Sequence, residues 1–211
     1  MKNVNENLRF QNSQADDNRI EKHPLEPFLP EQAVALMLGS FPPPREKWTM
    51  NFYYPNFQND MWRIFGLVFF GDKDYFVAVN NKSFNEELIR QFLIQKGIAL
   101  YDTVEEAIRQ KGNASDNFLE TVKPVDLQKL LLKIPACDTI VTTGQKATET
   151  VFELLGFNPI PPVGGHVNVV FMSRPLRCYR MPSSSRAYPK PLTEKAAIYS
   201  RMFSELFQVT L

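Results

Sequence analysis

Three consecutive hydroxyls behind a proline are the residues of this chain best placed for chemistry: Met181-Pro182-Ser183-Ser184-Ser185-Arg186-Ala187-Tyr188. Pro182 cannot donate a ladder hydrogen bond, so a preceding strand stops there. The serines then put hydroxyls and backbone N–H groups on one tight turn, followed at once by a cation and an aromatic ring. Such a turn can grip a phosphate and push a side chain into a base stack; a plain surface turn has the same composition. A second segment begins at Leu38-Gly39-Ser40-Phe41-Pro42-Pro43-Pro44. It continues through Phe52-Tyr53-Tyr54-Pro55-Asn56-Phe57-Gln58-Asn59-Asp60-Met61-Trp62. Aromatic faces stack on a planar heterocycle, and amides read its edge. The alternative for these rings is a core sealed beneath a long loop.

Both segments need a frame. Residues 33–38 form a continuous apolar run ending in Gly39, which reads as a buried parallel strand. Residues 98–101, 138–143, 167–172 and 176–180 read as further strands. Helical spacing covers residues 60–70, 84–95 (ended by Gly97), 104–110, 124–133, 144–155 (ended by Gly156) and 190–207. Pro124 suits a first helical turn. The expected fold class is therefore α/β, three-layer αβα, with a central, mainly parallel sheet of four to five strands. In such sheets ligands bind beyond the carboxyl ends of strands, where Gly39–Pro44, Asp102, Gly144 and Pro182–Ser185 all fall. Residues 1–19 are polar and aperiodic and read as a flexible leader; residues 20–211 read as one domain.

Composition narrows the function classes. Aromatics make up 12% of the chain, and Phe alone counts 17. No apolar run is long enough to span a bilayer, and the first 19 residues lack the apolar core of a secretory signal. Cys137 and Cys178 form no Cys-x-x-Cys pair, and His23 and His166 stand far apart. The expectation is a soluble, cytoplasmic, monomeric protein without a metal, an iron–sulfur cluster or another cofactor. Net charge is +1, but its distribution is uneven. Arg174, Arg177, Arg180, Arg186, Lys190, Lys195 and Arg201 face only Glu194, so residues 173–201 carry +6. That segment reads either as a phosphate footprint around the serine turn or as a solvated basic face.

The ordered set Gly39-Ser40-Phe41-Pro42, Tyr53-Tyr54, Asn59, Trp62 and Met181-Pro182-Ser183-Ser184-Ser185 resembles the uracil-DNA glycosylase superfamily. The branches it most resembles are the hypoxanthine-DNA glycosylases, through the His23-Pro24 lead-in, and the mismatch-specific uracil/thymine-DNA glycosylases, through the serine string. Leu100-Tyr101-Asp102, Arg109, Ser115-Asp116, Asp126 and Gly144-Gln145-Lys146-Ala147 follow in the family's order. The resemblance spans roughly residues 22–207.

It implies a monofunctional DNA repair glycosylase that hydrolyses the N-glycosidic bond of a base flipped out of DNA. The base would be deaminated or mismatched: uracil, hypoxanthine, or thymine in a G·T pair. Tyr54 is then the stacking platform, with Tyr53 and Phe41 also lining the base site. Backbone N–H groups around Ser40 and Phe41 bond a base carbonyl. Many members carry Asp or Asn at the place of Phe41, which cannot orient a water. The hypoxanthine branch lacks that group too and uses an amide, carried over here to Asn59; the same Asn59 also fits a helix cap before Asp60. Asp60 is the fallback, expected on an exposed first helical turn. Ser183, Ser184 and Ser185 contact phosphates, and Arg186 or Tyr188 fills the gap left in the duplex. The resemblance leaves a second outcome: a weak or inactive relative that binds nucleic acid or a free nucleobase. A phosphate-binding α/β protein would explain the serines but not Tyr53 and Tyr54.

Overall fold

The computed structural model describes residues 20–79, 82–110 and 119–209. The expected leader and the Ser115-Asp116 pair lie outside the described residues. The central sheet has five strands: β2 (Ala35–Gly39), β3 (Ile98–Asp102), β6 (Thr139–Thr143), β7 (His166–Phe171) and β8 (Arg174–Met181). Their order is β3-β2-β6-β8-β7. Four of them run parallel, and β7 closes one edge antiparallel to β8. β2, β3 and β6 are buried along their whole length, which is why they read as unbroken apolar or Thr/Val runs. The α/β class and the mainly parallel sheet flanked by helices match the expectation.

Helices α1 (Met61–Phe70), α2 (Glu86–Lys96), α3 (Leu127–Lys133), α4 (Gln145–Leu155) and α5 (Leu192–Phe207) flank this sheet. Local chemistry sets their ends. Asn85 and Asp126 accept the Leu88 and Lys129 N–H groups and cap α2 and α3. Gly97 and Gly156 terminate α2 and α4 with φ of +64° and +61°, a conformation that glycine reaches without strain. The Phe-rich composition is used between α1, α2 and α5, where Phe65, Phe69, Phe92 and Phe203 pack in edge-to-face and tilted contacts. Each fully buried Phe contributes roughly 1.5–3 kcal/mol over leaving it exposed.

A second, antiparallel sheet was not expected. It joins β1 (Ile20–Lys22), β4 (Val104–Arg109) and β5 (Leu119–Pro124) in the order β1-β4-β5. Residues 104–110, expected to be helical, are therefore a strand. The cause of the misreading is physical: Val104 and Ala107 are both buried, a spacing of three that imitates a helix face. Register shifts between Val104, Glu106 and Ala107 produce that spacing, because each irregularity changes which residues face inward. Pro124 likewise ends β5 opposite Val104 instead of opening a helix, and α3 begins only at Leu127.

Candidate active site

Parallel strands put their carboxyl ends on one edge of the sheet. Gly39 ends β2, Asp102 ends β3, Thr143 ends β6, and Ser183 to Ser185 follow β8. All of them line one cavity of about 220 Å³, together with Ser40, Phe41, Tyr53, Tyr54, Asn59 and Arg186. The two loops singled out in the sequence thus meet across the same sheet edge. A cavity below the roughly 300–1,000 Å³ of drug-sized ligand sites suits one flat ring system.

The aromatic side is built from the core outward. Tyr53 is buried, donates its hydroxyl to Glu26 O at 2.8 Å and packs edge-on to Phe52. Tyr54 is half-buried, with φ of +50°, a left-handed backbone that a bulky residue adopts only under constraint. Its ring meets Trp62 edge-on, and its hydroxyl shares a 3.0 Å hydrogen bond with Thr143 Oγ1. Burial, reinforced by the nearby Asp102 charge, raises the Tyr54 phenol well above the usual tyrosine range, so it stays neutral. Phe41 packs on Val104, Ala107 and Leu119 of the small sheet and meets His23 edge-on. Ser40 follows β2 directly, and its carbonyl accepts from Thr103 Oγ1 at 3.5 Å.

Asn59 lines the cavity, and its Oδ1 accepts the Met61 N–H at 2.9 Å. That bond ties Asn59 to the first residue of α1, but the N-cap position expected of it belongs to Asp60. Asp60 corrects the expectation of an exposed first turn. It occupies the N-cap position of α1 but is buried, and its carboxylate caps nothing. Oδ2 accepts from Lys195 Nζ at 3.0 Å, and Oδ1 from Arg186 Nε at 3.3 Å.

The serine loop rests on that same cluster. Asp60 N–H donates to Ser184 O, Lys195 Nζ to Ser185 O, and Tyr199 Oη to Pro182 O. Ser183 Oγ accepts the Ser185 N–H, and Ser185 Oγ accepts the Ala187 N–H, each at 3.2 Å. A hydroxyl that accepts still has its proton to donate. Ser184 is buried beneath them. Arg186 stands at the rim with half its side chain exposed. Tyr188 does not line the cavity; its ring lies 5.9 Å from Lys195 Nζ.

The +6 segment is not one basic face. Lys195 is fully buried in its ion pair. Arg174 donates to the carbonyls of Leu131, Ile134 and Pro135 at the end of α3, and Lys190 pairs with Glu194. Of the segment's cations, Arg186 lines the cavity.

The sequence reading missed two pairs. Lys195 looked like one more surface cation, yet it is the buried partner of Asp60. The other pair is His23 with Asp102, Nε2 to Oδ2 at 3.0 Å, with the imidazole only 2% exposed. His23 Nδ1 is held against the backbone of Leu25. A Cβ added at Gly39 would lie 2.4 Å from Asp102 Oδ1, so glycine is needed there to admit the carboxylate. The signals available in sequence were His23-Pro24 just after β1 and an Asp at a strand end.

No protein-family model matches the chain, and no curated protein does. Among solved structures, the chain is similar to the solution NMR structure of a "putative Uracil DNA glycosylase" from Methanosarcina acetivorans. The match has 23% sequence identity and a TM-score of 0.56, and covers 87% of this chain and 99% of the other. At that identity the likeness is one of fold: this chain has a uracil-DNA-glycosylase-like architecture. Among the described residues, no helix is long and apolar enough to cross a membrane.

Proposed function

We propose that this protein is a monofunctional DNA glycosylase acting on a deaminated or mismatched base. The observation that carries the reading is the meeting of the aromatic loop and the serine loop in one ring-sized cavity at the carboxyl edge of the sheet. The extruded base stacks on Tyr54, with Phe41 and Tyr53 completing the wall. Backbone N–H groups at Ser40 and Phe41 take a base carbonyl and the charge that develops on the leaving ring. The free protons of Ser183 and Ser185 donate to flanking phosphates, and Arg186 at the rim adds charge or enters the vacated duplex position. Asn59 faces the sugar side. Among the described residues no lysine lines the cavity, which favours hydrolysis over Schiff-base strand cleavage.

Duplex and single-stranded oligonucleotides with one uracil, hypoxanthine, xanthine or G·T mismatch test the reading. At least one should yield free base and an intact abasic strand that alkali then cleaves. No release from any of them at enzyme excess overturns it. Tight binding without release would instead support the nucleic-acid-binding relative, which Phe41 at the first loop favours.

A further inference from the structure

We propose that Asp102, oriented by His23, is the carboxylate that positions and deprotonates the attacking water. The inference rests on the glycosylase reading and supplies the group that Phe41 cannot. Among the described residues lining the cavity, Asp102 is the one acidic residue. The nearby carboxylate of Asp60 is neutralised on both oxygens by Lys195 and Arg186. Asn59 has its carbonyl oxygen engaged by the Met61 N–H, and an amide is a poor base. Among the described residues, Asp102 combines a carboxylate with access to the ring-sized space.

Its geometry is that of an oriented base. Oδ2 is fixed by His23 Nε2 at 3.0 Å. The imidazole is itself fixed: Nδ1 lies against the Leu25 backbone, and the ring is boxed by Phe41, Tyr53 and Tyr101 at centroid distances of 5.5, 6.3 and 4.7 Å. Oδ1 lies over the bare Cα of Gly39. An imidazole that donates through Nε2 holds one carboxylate oxygen and leaves the other to take a proton, which is how an orienting partner serves a general base. The small sheet delivers His23: β1 pairs with β4 through Lys22, one residue before it.

The step balances with water as the only co-reactant. The C1′–N bond breaks, and its electron pair leaves with the base. The water oxygen bonds to C1′ while one of its protons passes to Asp102 Oδ1. The departing base anion takes a proton from solvent, and Asp102 returns its own to solvent.

Single-turnover excision on whichever base the wild type removes is the test, beside binding to the same oligonucleotide made uncleavable by 2′-fluorination. Asp102→Asn should lose about 10²–10⁴-fold in rate, the range of general acid–base contributions, while its affinity changes far less. Formate should restore part of the rate of Asp102→Ala, because it replaces the missing carboxylate; a merely structural role would not respond. His23→Gln should lower kcat by about tenfold and leave KM nearly unchanged, as expected for a positioning residue. If Asp102→Asn does not fold, the His23→Gln split decides. An active wild type with Asp102→Asn at its rate, or with no formate rescue, or a His23→Gln kcat equal to wild type, overturns this inference alone. A wild type that releases no base overturns the glycosylase reading and this one with it.

Discussion

Lys195→Met removes a cation from a site with no access to water. The side chain is fully buried and donates to Asp60 Oδ2 at 3.0 Å and Ser185 O at 2.8 Å. Methionine keeps the length and apolar stem but leaves a buried carboxylate oxygen and a carbonyl without their donor. Breaking a buried pair from one side costs about 3–5 kcal/mol. Arg186 still reaches the other carboxylate oxygen, so the low end, about 3 kcal/mol, is expected here. In a domain of this size each kcal/mol moves the midpoint by roughly 2–4 °C, which predicts a Tm lower by about 6–12 °C. Thermal melting followed by far-UV circular dichroism reads this directly. The double variant Asp60→Asn/Lys195→Met removes both charges and should regain a large part of the loss, giving a coupling well above that of a surface pair. A Lys195→Met protein melting within about 2 °C of wild type would refute the reasoning, since no buried charge could then have been left unpaired.

If the protein is the glycosylase proposed above, Tyr54→Ala should slow single-turnover excision by about 5–150-fold, the kinetic equivalent of the roughly 1–3 kcal/mol that aromatic stacking contributes per base. Tyr54→Phe, which keeps the ring and deletes the bond to Thr143, should stay within a few-fold of wild type. Gly66→Ala places a Cβ 2.2 Å from the backbone oxygen of Asp72. It should destabilise by about 1–3 kcal/mol, read as a lower urea midpoint, because neither α1 nor that backbone yields easily. Burial pushes the Tyr101 and Tyr179 phenols up to about 12 and raises Tyr53, Tyr54 and Tyr199 as well. An unfolded tyrosine titrates near pH 10, so above that pH the unfolded chain binds fewer protons than the folded one. Stability should be complete below about pH 10 and fall as pH rises toward 12, with the phenolate absorbance of these five tyrosines appearing as the chain unfolds. A urea midpoint that holds constant through pH 11 would contradict this.

Strand ends were legible because glycine and proline mark them: Gly39, Gly97 and Pro182 delimit elements close to where they were expected. The cavity was legible for a related reason, since a parallel sheet brings its carboxyl ends to one edge whatever the loops contain. β4 was not, because its irregular pairing buries residues three apart, and local periodicity cannot tell that from a helix. Neither buried pair was legible. Asp60 and Lys195 are separated by 135 residues, and His23 and Asp102 by 79. Polar residues that satisfy each other at such range carry no local pattern. The charge count misled for the same reason: Arg174 and Lys195 look like surface cations until their carbonyl and carboxylate partners arrive from elsewhere in the chain.

The reach of the Asp60–Lys195 pair also sets an order of assembly. A chain emerging from the ribosome displays Asp60 and the aromatic loop before α5. Until α5 docks, Asp60 remains hydrated and the serine loop lacks the ammonium group that holds Ser185. Docking of α5 supplies that ammonium and ties the serine loop to Asp60, just after the aromatic loop. A fragment ending before α5 would lack the ammonium that ties the serine loop to Asp60, and that side of the cavity would be left unanchored.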